Sequence, residues 1–356
     1  MRVKNKKFST IWIDNREVKI IDQTKLPFEF KVQKLKSLND FCTAISDMKV
    51  RGAPLIGVTA ALGFAKSIEQ NSSTLNIKKC YQKLLKTRPT AINLKWALDT
   101  IKKKLLKTIP SKRASLAFKL ANLIRDDDIE NCKQIGINGL KIIEQIYNKK
   151  KKPVNILTHC NAGWLATVDY GTALSPIFCA NQAQIPLHVW VDETRPRNQG
   201  ALLTSWELKN EKIPHTVIVD NAGGHLMQNG KVDLCLVGSD RTAMNGDVCN
   251  KIGTYLKAIS AYENNIPFYV ALPTSTIDRN LKNGSHIPIE IRDGKELSDL
   301  IFEKSKKLST GRIYKNKTKT FNPAFDVTPS KFITALITEN GICKADFSSI
   351  QRNLKV

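Results

Sequence analysis

After Pro153 the spacing of apolar residues changes period, and this change constrains the chain more than any other feature of its sequence. Short, near-continuous apolar runs recur: VNILT at 154, PLHVWV at 186, TVIV at 216, VDLCLVG at 232 and PFYVAL at 267. Amphipathic segments such as QGALLTSWELKN and DVCNKIGTYLKAISAYENN lie between some of them. A strand that is apolar on both faces must be covered on both. Strand–helix alternation of this kind therefore predicts a mostly parallel sheet between helices, a Rossmann-like α/β fold.

Upstream of Pro153 the pattern is different. FSTIWIDNREVKII, residues 8–21, reads as a hairpin turning at Asp14-Asn15. From about residue 37 apolar residues recur at helical spacing, through APLIGVTAALGFAKSI, TAINLKWALDTIKKKLL, SKRASLAFKLANLI and IENCKQIGINGLKIIEQIY. The run from Lys149 to Pro153 ends the last helix. The chain of 356 residues can supply two cores. The expected division is a small β-plus-helical domain over 1–148 and a Rossmann-like domain over 149–356.

Composition narrows the function classes. No apolar run approaches the ~18 residues of a membrane span. The start, MRVKNKKFSTIWID, lacks the apolar stretch of a secretory signal. Eight cysteines form no CxxC pair, so a reducing cytoplasm with mostly buried thiols is expected. Five scattered histidines without HxH or HExxH spacing give no basis for a metal centre. The net charge of +24 suggests nucleic acid, but only 13 of the 56 basic residues are arginine. Base reading leans on arginine, so the lysine runs read as solvated faces. Nucleic-acid binding would instead show as steeply salt-dependent retention of DNA or RNA.

The strand ends carry the chemistry. In open α/β sheets ligands collect beyond the carboxyl ends of the strands. Here those ends read Thr158-His159-Cys160-Asn161, Asp192-Glu193-Thr194-Arg195, Asp220-Asn221, Gly238-Ser239-Asp240-Arg241 and Pro273-Thr274-Ser275. Caps alone do not require so many acids and a thiol, so this edge reads as a small-molecule site. Cys160 between His159 and Asn161 suggests a thiol hydrolase. However, consecutive residues of an extended segment face opposite ways, so His159 is a poor base for Cys160. His159 and Asn161 are expected to shape the loop. Arg51-Gly52-Ala53-Pro54 opens a helical pattern, and a helix N-terminus beside an arginine suits an anion; an ordinary helix start has the same spacing. Arg88 before Pro89 marks a similar start. Asn250 and Lys251 are expected near the first turns of the helix through Tyr255, with the lysine as a point charge for phosphate. Asp240 could cap a turn or move a proton. A thiol, a carboxyl and phosphate anchors suit proton or hydrogen shuffling on a sugar phosphate.

The motifs RGAPLIGVTAALG at 51, TRPTAINLKWAL at 87, THCNAGWLAT at 158, VWVDETRPRNQGALLTSWEL at 189, DNAGGHLM at 220 and GSDRTAMNGDVCNKIGTYLKA at 238 run almost end to end. On them the chain resembles the methylthioribose-1-phosphate isomerases, a family related in fold to regulatory subunits of the eukaryotic initiation-factor exchange complex. The resemblance implies a homodimer that converts an aldose 1-phosphate to the ketose 1-phosphate without metal or cofactor. It implies Asp240 as acid/base and Cys160 as the residue assisting hydrogen transfer between C1 and C2. It also implies Arg51, Gly52, Ala53, Arg88, Gln199, Asn250 and Lys251 as substrate and phosphate binders. Leu202 and Trp164 depart from the family pattern in segments that bear the site, which bears on the C5 substituent. A relative acting on 5-deoxyribose 1-phosphate, or a non-catalytic regulatory subunit, are the alternatives.

Overall fold

The computed structural model describes residues 1–4, 6–305, 307–315 and 318–355. Ile11–Asp14 (β1), Glu17–Ile21 (β2) and Val32–Leu35 (β3) form an antiparallel meander. The β1–β2 turn falls on Asn15-Arg16, both at positive φ, one residue later than expected. The third strand was not foreseen.

Five helices follow: Leu38–Ser46 (α1), Ala53–Gln70 (α2), Thr74–Leu85 (α3), Ile92–Leu105 (α4) and Pro110–Lys150 (α5). The last two helical runs of the sequence are one continuous helix, α5, because no glycine cap or proline separates them. The axis of this layer is α2, which is buried along nearly its whole length against α4 and α5. Its start is set by Gly52 at φ 93°, followed by Pro54 in the first turn. A β-carbon on Gly52 would lie 2.4 Å from the Ala166 carbonyl oxygen, so only glycine lets this helix end approach the rest of the site.

The main sheet has seven strands. In chain order they are Val154–Thr158 (β4), Leu187–Asp192 (β5), His215–Ile218 (β6), Leu234–Val237 (β7), Phe268–Ala271 (β8), Ala335–Thr338 (β9) and Gly341–Cys343 (β10). Their spatial order is β10-β9-β8-β7-β4-β5-β6, parallel except for β10. Without β10 this is the doubly wound order, in which the winding reverses between β4 and β7. Both strands are almost wholly buried, as expected of a sheet covered on two sides. The fold is thus the expected α/β architecture.

A second, four-stranded sheet stands beside the strand ends, in the order Ile277–Asp278, Arg241–Ala243, Val248–Lys251, Phe325–Thr328. It corrects one expectation: Val248–Lys251 is a buried strand, and the helix begins only at Thr254. The β-branched Val248 and its antiparallel pairing with Phe325–Thr328 override the helical spacing of this segment.

Candidate active site

In a doubly wound sheet a ligand binds beyond the strand ends at the winding reversal. Here β4 exits into His159-Cys160-Asn161 and β7 into Gly238-Ser239-Asp240. Both exits line one cleft of ≈ 690 Å³, counting its open mouth. Arg51, Gly52, Ala53, Arg88, Cys160, Gln199, Asp240, Asn250 and Lys251 all line it. They come from the α2 start, the turn before α4, three strand exits and the second sheet.

Cys160 sits in the left-handed region at φ 67°, a strain of order 1 kcal/mol that neighbours must hold. Its N–H donates to Thr194 Oγ1 at 2.8 Å, and its carbonyl accepts from Thr204 Oγ1 at 2.7 Å. His159 does not serve the thiol. Its Nδ1 lies 2.8 Å from Asp192 Oδ2 and its Nε2 lies 2.8 Å from the Ile252 carbonyl, so it is a buried strut between strand exits. His159, Asp192 and Asp220 converge within 4.8 Å, as metal ligands can, but Lys257 Nζ already stands 3.1 Å from Asp192 Oδ2. Asn161 tilts the other way, towards Arg51 and Glu207.

The cleft is strongly cationic. Arg51, Arg88, Lys251 and Arg292 line it, and Asp240 is the carboxylate among its lining residues. Lys251 Nζ donates to the Ala324 carbonyl at 2.8 Å and lies 4.6 Å from the centre of the Phe325 ring. Burial, reinforced by Arg292, pushes its ammonium down to about 8, against the pull of Cys160 and Asp240. Burial, again with Arg292, also lowers the Arg88 guanidinium. Burial works to raise the Glu290 carboxyl, but Arg292 and Arg88 outweigh it and hold that group below its usual range. Buried Arg88 Nε and Gln199 Oε1 have no hydrogen-bond partner among the described residues. Both residues line the cleft, where unpartnered buried polar atoms are expected to find a partner when a ligand binds. The α2 N-terminus adds the positive end of its dipole at Gly52 and Ala53. Arg292 was missed in the sequence, where nothing distinguishes it from a solvated arginine. Its partners Glu290, Phe325 and Asn322 become neighbours only through the fold.

Lys251 gives a pH prediction. Its depressed value leaves it charged below about 8 and progressively neutral above, so anion affinity that uses its charge is full below that pH and fades above it. Phosphate affinity should fall by up to about tenfold per pH unit above 8. Competition by inorganic phosphate from pH 7 to 10 measures this, and a flat profile would remove Lys251 as a charge donor.

Trp164 is fully buried and packs at 5.9 Å from Trp206, so it belongs to the core and not to the cleft wall. Leu202 instead lines a chamber that adjoins the cleft and shares Met48, Arg51 and Gln199 with it.

The fold and site define a doubly wound α/β protein with a cationic cleft at the winding reversal, holding a thiol and a carboxyl. The chain belongs to the Initiation factor 2 subunit family, whose model matches residues 49–345, and within it to the methylthioribose-1-phosphate isomerases. It is 55% identical over 355 residues to the methylthioribose-1-phosphate isomerase of Escherichia coli O45:K1, covering 98% of this chain and 95% of that one. It is 55% identical over 348 residues to the enzyme of the same name from Rhizobium meliloti, covering 96% of each. The crystal structure of 5-methylthioribose 1-phosphate isomerase from Pyrococcus horikoshii superposes with a TM-score of 0.84 at 37% identity, over 98% and 96% of the two chains. That of translation initiation factor eIF-2B, subunit delta, from A. fulgidus gives 0.80 at 35% identity, over 98% and 100%.

Proposed function

We propose that the chain converts 5-methylthioribose 1-phosphate to 5-methylthioribulose 1-phosphate, a step of methionine salvage. The observation that carries this reading is the placement of Cys160 and Asp240 on neighbouring strand exits of one cationic cleft. In the substrate the anomeric oxygen carries phosphate, so the sugar cannot open as a free hemiacetal does. Asp240 protonates the ring oxygen as the C1–oxygen bond breaks. A hydrogen moves from C2 to C1 with the help of Cys160, the C2 hydroxyl becomes the carbonyl, and its proton returns to Asp240. Atoms balance without an external oxidant or reductant. Arg88, Asn250, Lys251, Gln199 and the α2 N-terminus with Gly52 and Ala53 hold the phosphate, and Arg51 bridges cleft and chamber.

The adjoining chamber suits the C5 substituent. Its walls include Leu26, Met48, Leu202, Leu203, Leu300 and Ile301. Burying one thiomethyl group there contributes about 1–2 kcal/mol. Leu202→Ala should therefore cut kcat/KM for the 5-methylthio substrate about fivefold more than for 5-deoxyribose 1-phosphate. Equal losses on the two substrates would remove the chamber from the C5 site. Parallel assays of the unaltered protein decide between the 5-methylthio and 5-deoxy readings, with the former expected to be faster.

The likeness to the A. fulgidus protein keeps a regulatory-subunit reading in view. A thiol and a carboxyl lining one cationic cleft favour the enzyme, and an inactive protein would favour the other. The protein acts on a small sugar phosphate, as a homodimer, in the cytoplasm. Eight free thiols suit a reducing compartment, and no described helix is long and apolar enough to cross a membrane. Size-exclusion chromatography with light scattering tests the dimer, which a monomer's mass would exclude.

A further inference from the structure

Glu207 lies outside the proposed chemistry, yet its side chain is fully buried directly behind the cleft. It sits at the start of the short helix Ser205–Asn210. Its Oε1 accepts from Asn161 Nδ2 at 2.7 Å and from the Leu165 N–H at 3.2 Å, and its Oε2 accepts from the Trp164 N–H at 2.9 Å. Burial pushes the carboxyl up to about 7, while these bonds and Arg51 pull it down. Three donors converge on it, which suits a carboxylate and leaves an acid proton without an acceptor. The approach is so close that a β-carbon on Gly163 would lie 1.9 Å from Oε2.

The other end of Asn161 faces the cleft. Its Oδ1 accepts from Arg51 Nη1 at 2.5 Å, and its backbone carbonyl accepts from Arg51 Nη2 at 2.7 Å. Arginine only donates and a carboxylate only accepts, so the amide can lie one way round. Glu207 takes the NH₂ end, and the oxygen is thereby turned to the guanidinium. Asn161 grips one edge of Arg51, and the remaining N–H groups of the fork stay available to an anion.

We infer that Glu207 is a positioning residue, which fixes the amide of Asn161 and, through it, the Arg51 guanidinium at the substrate. This rests on the proposed sugar-phosphate reaction. Neither residue touches the reacting atoms, so the effect belongs to binding. Glu207→Gln puts an NH₂ group where three N–H donors converge and frees the Asn161 amide to turn.

The test is a double-mutant cycle on Glu207→Gln and Asn161→Ala, read by steady-state kinetics with methylthioribose 1-phosphate. Each variant should raise KM about tenfold, as loss of an ordered charge-assisted contact does, and change kcat less than about threefold. The double variant should be no worse than the poorer single one, because both changes cut the same link. Additive losses, or a fall in kcat at unchanged KM, would overturn the inference. Should Glu207→Gln fail to fold, as a thermal melt would show, Asn161→Ala alone decides: its unchanged KM would also overturn it. Activity of the unaltered protein in the same assay checks the reaction separately, so the two readings fail distinguishably.

Discussion

Asp240→Asn should lower kcat by about three to four orders of magnitude, the scale of a lost general acid–base group. The substitution keeps shape and removes only the proton-carrying function. The backbone around it is held independently of the side chain: the Asp240 N–H donates to the Cys249 carbonyl at 2.9 Å, and the flanking Ser239 and Thr242 hydroxyls meet at 2.9 Å. Melting temperature should therefore stay within a few degrees of the parent. Near-normal turnover would mean that the ring oxygen receives its proton from elsewhere in the cleft.

Cys160→Ser should also lower kcat, by about two to three orders of magnitude, with KM little changed. A hydroxyl fits where the thiol stood, since the strained φ of 67° is held by Thr194 and Thr204 through the backbone and not through the side chain. A loss confined to KM would reduce Cys160 to a wall of the cleft. A loss of folding would be unexpected, because Cys160 lines the cleft and lies outside the buried apolar clusters.

The legible part of this protein is what local pattern encodes. Near-continuous apolar strands announced the parallel sheet, and polar residues at their ends announced where a ligand goes. The RGAP start worked the same way, since Gly52 and Pro54 are local backbone instructions. What was illegible depends on partners far apart in sequence. Val248–Lys251 carries helical spacing, and only the strand at Phe325–Thr328, some 75 residues on, makes it a strand. Arg292 gains meaning from Glu290 and Phe325 once the second sheet is assembled. Glu207 looks like any acid in an amphipathic helix, and its role rests on three donors from residues 161–165. Trp164 departs from the family pattern in a segment that bears the site, and only the fold shows that it packs in the core against Trp206. The His-Cys-Asn triplet split three ways because alternation along β4 and the left-handed turn at Cys160 send its side chains to different neighbours.

The most direct measurement uses methylthioribose 1-phosphate labelled with carbon-13 at C2 and follows the label by NMR in the presence of the purified protein. The C2 resonance should move from the secondary-alcohol region to the ketone region, with the phosphate retained at C1. A label that stays in place, or one that moves with release of inorganic phosphate, would contradict it.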